Sequence, residues 1–248
     1  MGVLDGKVAL ITGGGRGIGR GLALALAAEG ANIFVCGRTA EPLREVVDEV
    51  GKRGSKGAFH VCDVTRADDL ADLTARAVAE FGTIHILINN ANVPVGGLLL
   101  DTDDQAFIDA LMAGPVATLR LMKLCHPYLQ GGGTIINLVT GASLRSDPIG
   151  YGGYVAQKDA MRGLSRTAAV EWGKDGIRVH AIAPLAGLET WIEHYPEEAK
   201  AYMSQIPLGR IGNAEHDIGR VVVFLCGPDS GFMTGNVIMI DGGKEYLR

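Results

Sequence analysis

Paired cysteines are missing from this sequence. Its four, Cys36, Cys62, Cys125 and Cys226, stand far apart with no Cys-x-x-Cys spacing. That excludes a disulfide or zinc framework and suits reduced, mostly buried thiols in the cytoplasm. No apolar stretch approaches the ~20 residues that a membrane span needs. The opening MGVLDGKVALITGGG makes neither a signal peptide nor a lipidation site. Basic excess is absent as well: 23 Lys+Arg against 28 Asp+Glu leave a net charge of −5. With nothing to neutralise phosphates, nucleic acid is excluded as the main partner. The six histidines form no spaced cluster, so no metal site is expected. Nine prolines, no linker-like Pro/Ser run and no internal repeat leave nothing to divide residues 1–248 into more than one domain.

Apolar residues and glycine are abundant. Hydrophobic residues make up 47% of 248, enough for one large core. Glycine appears 36 times, about twice its average usage of ~7%. A folded chain spends that glycine on tight turns and on close backbone approach to a ligand. Short apolar runs at 8–12, 32–36, 58–64, 86–89, 134–139, 178–183 and 237–241 read as strands. Between them lie helical patterns at 21–30, 40–52, 68–81, 114–129 and 154–172. Runs apolar on both sides, alternating with helices of ten or more residues, imply βαβ units and a parallel sheet covered on both faces. The expected fold is α/β, a doubly wound Rossmann-like sheet of about seven strands in a single domain.

The segment TGGGRGIG, residues 12–19, turns the first strand into the first helix. Gly13, Gly17 and Gly19, with Ile18 between, let backbone amides approach a pyrophosphate at the positive helix terminus. Strand two ends at Cys36-Gly37-Arg38, where a carboxylate would accept from the ribose of NAD. Arg38 offers a charged fork instead, and Arg16 could approach the same 2′-phosphate from the glycine loop. NADP(H) is the preferred cofactor on this reading, with NAD(H) the other.

In order along the chain, these residues resemble the short-chain dehydrogenase/reductase family, and within it the NADP(H)-preferring 3-oxoacyl reductase-like members. TGGGRGIG resembles the cofactor loop, Asp63-Val64 the adenine-contacting pair, and Asn89-Asn90-Ala91 the N-N-A-G that ends strand four. Tyr154-Val-Ala-Gln-Lys158 resembles the Y-x-x-x-K pair, and TGNVIMIDGG the closing strand. The resemblance implies interconversion of a ketone and an alcohol with NAD(P)(H), in a homodimer or homotetramer joined through 114–129 and 154–172. It gives Tyr154 the role of general acid–base. Lys158, four residues on along the same helix face, stabilises the phenolate and holds the nicotinamide ribose. Asn90 and Ala91 become cofactor contacts, as do Pro184 and Thr190 after strand six.

Several positions depart from the family. Its usual Ser falls, counting back from Tyr154, on Gly141. An extra residue before Tyr154 would give the role to Thr140, the preferred candidate, and Ser143 is the third. The Asn of its long helix aligns with Leu111, which can neither donate nor accept a hydrogen bond. N-N-A-G reads Asn89-Asn90-Ala91-Asn92 here. The segment near 185–210, with Trp191, His194, Tyr195 and Tyr202, is the expected substrate loop, for an apolar or cyclic ketone or alcohol. These departures leave a second function class open, a cofactor-binding protein with little turnover.

Overall fold

The structure is a computed structural model that describes residues 2–144 and 150–245. Seven parallel strands form one sheet in the order β3-β2-β1-β4-β5-β6-β7. They are β1 (Val8–Thr12), β2 (Asn32–Gly37), β3 (Gly57–Val61), β4 (Ile86–Asn89), β5 (Thr134–Leu138), β6 (Arg178–Pro184) and β7 (Val237–Ile240). The order reverses between β1 and β4, and a doubly wound sheet opens its ligand crevice at that point.

Side chains alternate across each strand, and so the sheet builds two cores. Ala9, Ile11, Ile33, Val35, Ile86 and Ile88 face α1 (Gly17–Ala28), α2 (Ala40–Lys52) and α9 (Arg220–Cys226). Leu10, Phe34, Leu87 and Ile135 face α3 (Ala67–Phe81), α5 (Ala117–Leu129) and the end of α6 (Gly152–Trp172). Both surfaces of the strands are therefore dry, which explains why their sequences are apolar without alternation.

Three boundaries differ from the sequence reading, each for a local reason. Helix α1 starts at Gly17, inside the glycine loop, because the turn needs only residues 13–16. Strand β3 ends at Val61, leaving Asp63 and Val64 in the following turn. The helix expected over 114–129 begins only at Ala117. Before it come α4 (Asp104–Leu111) and a π-helical turn, Met112–Val116, with Pro115 inside. Pro115 lacks an N–H for the regular ladder, and the wider turn accommodates it. Two short helices, α7 (Glu189–His194) and α8 (Pro196–Met203), follow β6. Among the described residues no helix is long and apolar enough to cross a membrane.

Candidate active site

At the carboxyl ends of β1, β2 and β4 lies a cleft of about 770 Å³, walled by Gly13, Gly15, Arg16, Gly37, Arg38, Asp63, Val64 and 90–93. Gly13 is indispensable to its floor. It sits at φ +65°, and a Cβ there would lie 2.9 Å from Asn90 Nδ2 and 3.0 Å from the Ala91 Cα. The buried Thr12 hydroxyl fixes the opposite wall: it accepts from the Asn90 and Ala91 amides at 3.0 Å each. Asn90 Nδ2 returns two bonds, to the Thr12 carbonyl at 2.9 Å and the Gly13 carbonyl at 3.0 Å. The glycine loop and the end of β4 are thus one hydrogen-bonded unit.

Arg16 and Arg38 are both exposed on the rim of this cleft, and neither has a carboxylate partner among the described residues. Asp63 folds back as a turn, accepting from the Thr65 amide at 3.0 Å and the Thr65 hydroxyl at 2.8 Å. Gly17 lies at φ +53° and opens α1. Ile18 packs under Gly187 of the loop after β6, 3.1 Å from that residue's Cβ direction. A backbone-lined trough with two cationic side chains at one end fits a dinucleotide.

Tyr154, Lys158 and Thr140 stand together next to this cleft, outside its lining. Helix α6 presents Tyr154 and Lys158 on one face, with Lys158 Nζ 5.8 Å from the centre of the Tyr154 ring. Lys158 is 3% exposed and donates to the Leu138 carbonyl, at the end of β5, at 2.9 Å. Burial pulls its pKa down to about 8. Burial likewise pushes the Tyr154 phenol above its ordinary value, while a hydrogen bond from the Thr140 hydroxyl works the other way. Of the three residues considered for the Ser position, Thr140 is the one that bears on the Tyr154 phenol's pKa. The Ser143 hydroxyl instead takes Arg162 Nη1 at 2.6 Å and donates to the Thr140 carbonyl at 3.2 Å. Gly141 faces Met239 and Glu245. The extra residue expected between Thr140 and Tyr154 falls in a stretch that includes 145–149, outside the described residues.

Other expected cofactor contacts are not on the cleft wall: Gly17, Ile18 and Gly19 form the start of α1, Pro184 ends β6, and Thr190 is exposed on α7 with its carbonyl taken by His194 Nδ1 at 2.7 Å. Leu111 closes α4, and it is Gly114, one π turn later, that faces the Tyr–Lys helix. The sequence reading missed a buried chain of polar groups. Asn89 Nδ2 donates to Asn137 Oδ1 at 2.8 Å, Asn137 Nδ2 to Ser165 Oγ at 2.9 Å, and Ser165 Oγ to the Met161 carbonyl at 2.7 Å. The available signal was an asparagine inside each of two otherwise apolar strands.

The family model described as enoyl-(acyl carrier protein) reductase matches residues 13–245. A 12alpha-hydroxysteroid dehydrogenase from Clostridium sp. is 42% identical, with 98% of each chain covered. The NAD+-bound structure of a xylitol dehydrogenase superposes with a TM-score of 0.89 at 29% identity, over 97% of this chain and 99% of its own. An actinorhodin polyketide ketoreductase with NADPH gives 0.91 at 26% identity, over 99% of both chains. One neighbour holds NAD+ and another NADPH, on the same fold. The chain belongs to the short-chain dehydrogenase/reductase family, whose members bind NAD(P)(H), and it is a dehydrogenase acting on a CH–OH/C=O group.

Proposed function

We propose that this enzyme interconverts a secondary alcohol and a ketone on an apolar, fused-ring substrate, with NADP(H) as the preferred cofactor. The bound cofactor supplies the hydride acceptor or donor. Tyr154 moves the proton: in reduction its hydroxyl protonates the substrate oxygen, and in oxidation its phenolate takes that proton. Thr140 donates to the same oxygen centre and orients the substrate carbonyl against Tyr154. Lys158 holds a positive charge under the Tyr154 ring, which lowers the cost of the phenolate. With a pKa of about 8 it is mostly protonated at neutral pH. The observation that carries this reading is the buried Lys158 ammonium 5.8 Å from the centre of the Tyr154 ring.

The cofactor would lie along Gly13, Gly17, Ile18 and Gly19, with Asp63 and Val64 at the adenine and Asn90 and Ala91 at the nicotinamide side. Arg16 and Arg38, exposed and without carboxylate partners, supply charge for a 2′-phosphate. Pro184, at the end of β6, and Thr190, in the 185–210 segment, would join them. Apolar surface near Tyr154 supports a ring substrate. Tyr151 stacks edge-on at 6.3 Å and Leu99 packs on the start of α6; in the segment after β6, Trp191 meets Tyr202 at 5.7 Å across α7 and α8. The 42% identical relative is named for a steroid hydroxyl, a ring alcohol of this kind. Exposed Leu119 and Tyr128 on α5 and Val170 on α6 suit a homo-oligomer built on those helices. Four free, buried cysteines suit a cytoplasmic enzyme.

Steady-state oxidation of NADPH and of NADH against cyclic and fused-ring ketones, a 12-ketosteroid among them, tests the proposal. Turnover with preference for NADPH is expected. Tight NADPH binding without turnover on any ring ketone would overturn the substrate class, and preference for NADH would overturn the role of the arginines.

A further inference from the structure

Residues 241–245, which follow β7, form a turn wedged between two parts of the site. Asp241 is buried, and its carboxylate accepts from the Gly243 amide at 3.0 Å and the Glu245 amide at 2.7 Å. Gly242 and Gly243 stand at φ +66° and +83°, which residues with a Cβ rarely adopt, and Ile206 and Pro207 close the space where a Cβ would go. The Gly242 carbonyl takes the Leu208 amide at 3.1 Å. The turn is thereby fixed against the chain that leaves α8. On its other side Glu245 packs on Gly141, the residue after Thr140: a Cβ on Gly141 would lie 2.9 Å from the Glu245 Cγ.

Lys244, within this turn, is 6% exposed. Its ammonium lies over the Tyr202 ring of α8, 5.2 Å from the ring centre, and 3.5 Å from a Glu245 carboxylate oxygen. Tyr202 in turn meets Trp191 of α7 edge-on at 5.7 Å. Contacts therefore run unbroken from the residue beside Thr140, through Glu245 and Lys244, to the Tyr202 and Trp191 rings. Stability alone does not explain a buried lysine, because an ion pair out of water is often no more stabilising than an apolar residue of the same volume. What an ammonium adds is direction: it is drawn to the face of an aromatic ring and holds that ring in place. Burial does little to hold α7 and α8, since Ala199 alone among their residues is buried.

We propose that Lys244 is a positioning residue that sets substrate specificity: its ammonium seats the Tyr202–Trp191 pair beside the Thr140 turn, and this pair is the apolar wall for the substrate rings remote from the reacting carbonyl. The inference deepens the fused-ring substrate class proposed above and rests on it. A small ketone is held at Thr140 and Tyr154 without reaching the wall, whereas a fused-ring ketone spans both. The charge on Lys244 therefore bears on the second substrate and not on the first.

The test compares Lys244→Met, which keeps the unbranched stem and removes the charge, with Lys244→Arg, which keeps the charge and can stack on the ring. KM and kcat are measured for a 12-ketosteroid and for cyclohexanone, and amide hydrogen exchange is followed over residues 189–203. Lys244→Met is expected to raise KM for the ketosteroid about 3- to 30-fold, the worth of a desolvated cation–ring contact. Its kcat, and its KM for cyclohexanone, should change less than about twofold. Exchange should quicken in 189–203 and stay the same in the strands, and Lys244→Arg should restore both readouts. Equal losses for the two ketones, or unchanged exchange in 189–203, would overturn the inference, as would faster exchange with no change in KM. Should Lys244→Met fail to fold, Tyr202→Leu removes the ring from the other side of the contact and must show the same split between the ketones. A wild-type enzyme that reduces cyclohexanone but no fused-ring ketone overturns the substrate class itself, and the inference with it, before any variant is made, which separates the two failures.

Discussion

On the proposed reading, the phosphate end, in the cleft, and the reaction end, beside it, are built by different means. At the phosphate end the working parts are backbone amides and glycines within eight residues, 12–19, with two exposed arginines on the rim. At the reaction end they are side chains from separate segments: the half-buried Thr140 after β5, and the half-buried Tyr154 with the buried Lys158 on α6. The first end is a local structure whose shape follows from where Cβ atoms are absent. The second is a tertiary structure in which each group has its chemistry set by burial. The first should therefore govern affinity, and the second rate.

Substitutions can break that division. The largest effect is expected for Tyr154→Phe. Loss of a general acid–base lowers kcat by roughly 10²–10⁴-fold, while NADPH affinity, read by fluorescence titration, stays the same. A parallel fall in affinity would show that the two ends are not separable. Next comes Gly13→Val, which forces a branched side chain into φ +65° and against Asn90 and Ala91. NADPH affinity should weaken by ~10–100-fold, with kcat at saturation nearly kept, on the magnitude of such backbone strain. Arg38→Ala sharpens the phosphate end alone. It should cost about tenfold in NADPH affinity, the worth of one charge-assisted contact, and leave NADH untouched; an equal loss for both would place the arginine on the pyrophosphate.

The smallest effect runs in the opposite direction. Burial holds the Lys158 pKa at about 8, below the 10.5 of the unfolded chain. Between those values the unfolded chain binds more protons, so stability rises with pH across the window, and below 8 the folded protein carries the full cost. Lys158→Met should therefore stabilise the protein by ~1 kcal/mol at pH 7, after the lost bond to Leu138 is subtracted. Denaturant melts should show that gain shrinking as pH rises from 8 to 10.5. A destabilised Lys158→Met protein would mean that the ammonium holds α6 to β5 more than it strains the fold.

The same division decides what could be read from the chain alone. Strands β1 and β4 and helix α2 lie where periodicity puts them, because a strand buried on both faces leaves an uninterrupted apolar run. The glycine loop was legible because positive φ at Gly13 and Gly17 leaves few residue choices. The reaction end was legible only in Tyr154 and Lys158, whose helical spacing brings them together without help from elsewhere. Leu111 was set at the polar position of the long helix by aligning on Gly114, and the π turn at Met112–Val116 that turns Gly114 toward Gln157 was not legible there. Thr140 was preferred to Ser143 on spacing alone; that the Arg162 guanidinium occupies the Ser143 hydroxyl is a tertiary contact no spacing shows. Gln157 stood inside the quoted motif, yet the room for its buried side chain comes from the missing one at Gly114, more than forty residues earlier.

The chain of amides from Asn89 through Asn137 to Ser165 crosses two neighbouring strands and enters the helix that carries Tyr154. An apolar core of the same shape would hold the layers together but would accept small misalignments. Here a slip of one residue in β4 or β5 would throw an amide to the other side of the sheet, strand its partner without a bond, and unseat Ser165. The three residues work as a keyway: the catalytic helix can dock on the sheet at one setting along its length. A protein selected only for robustness could trade them for leucine and lose little. What it would lose is the guarantee that each molecule assembles its active site in the same alignment.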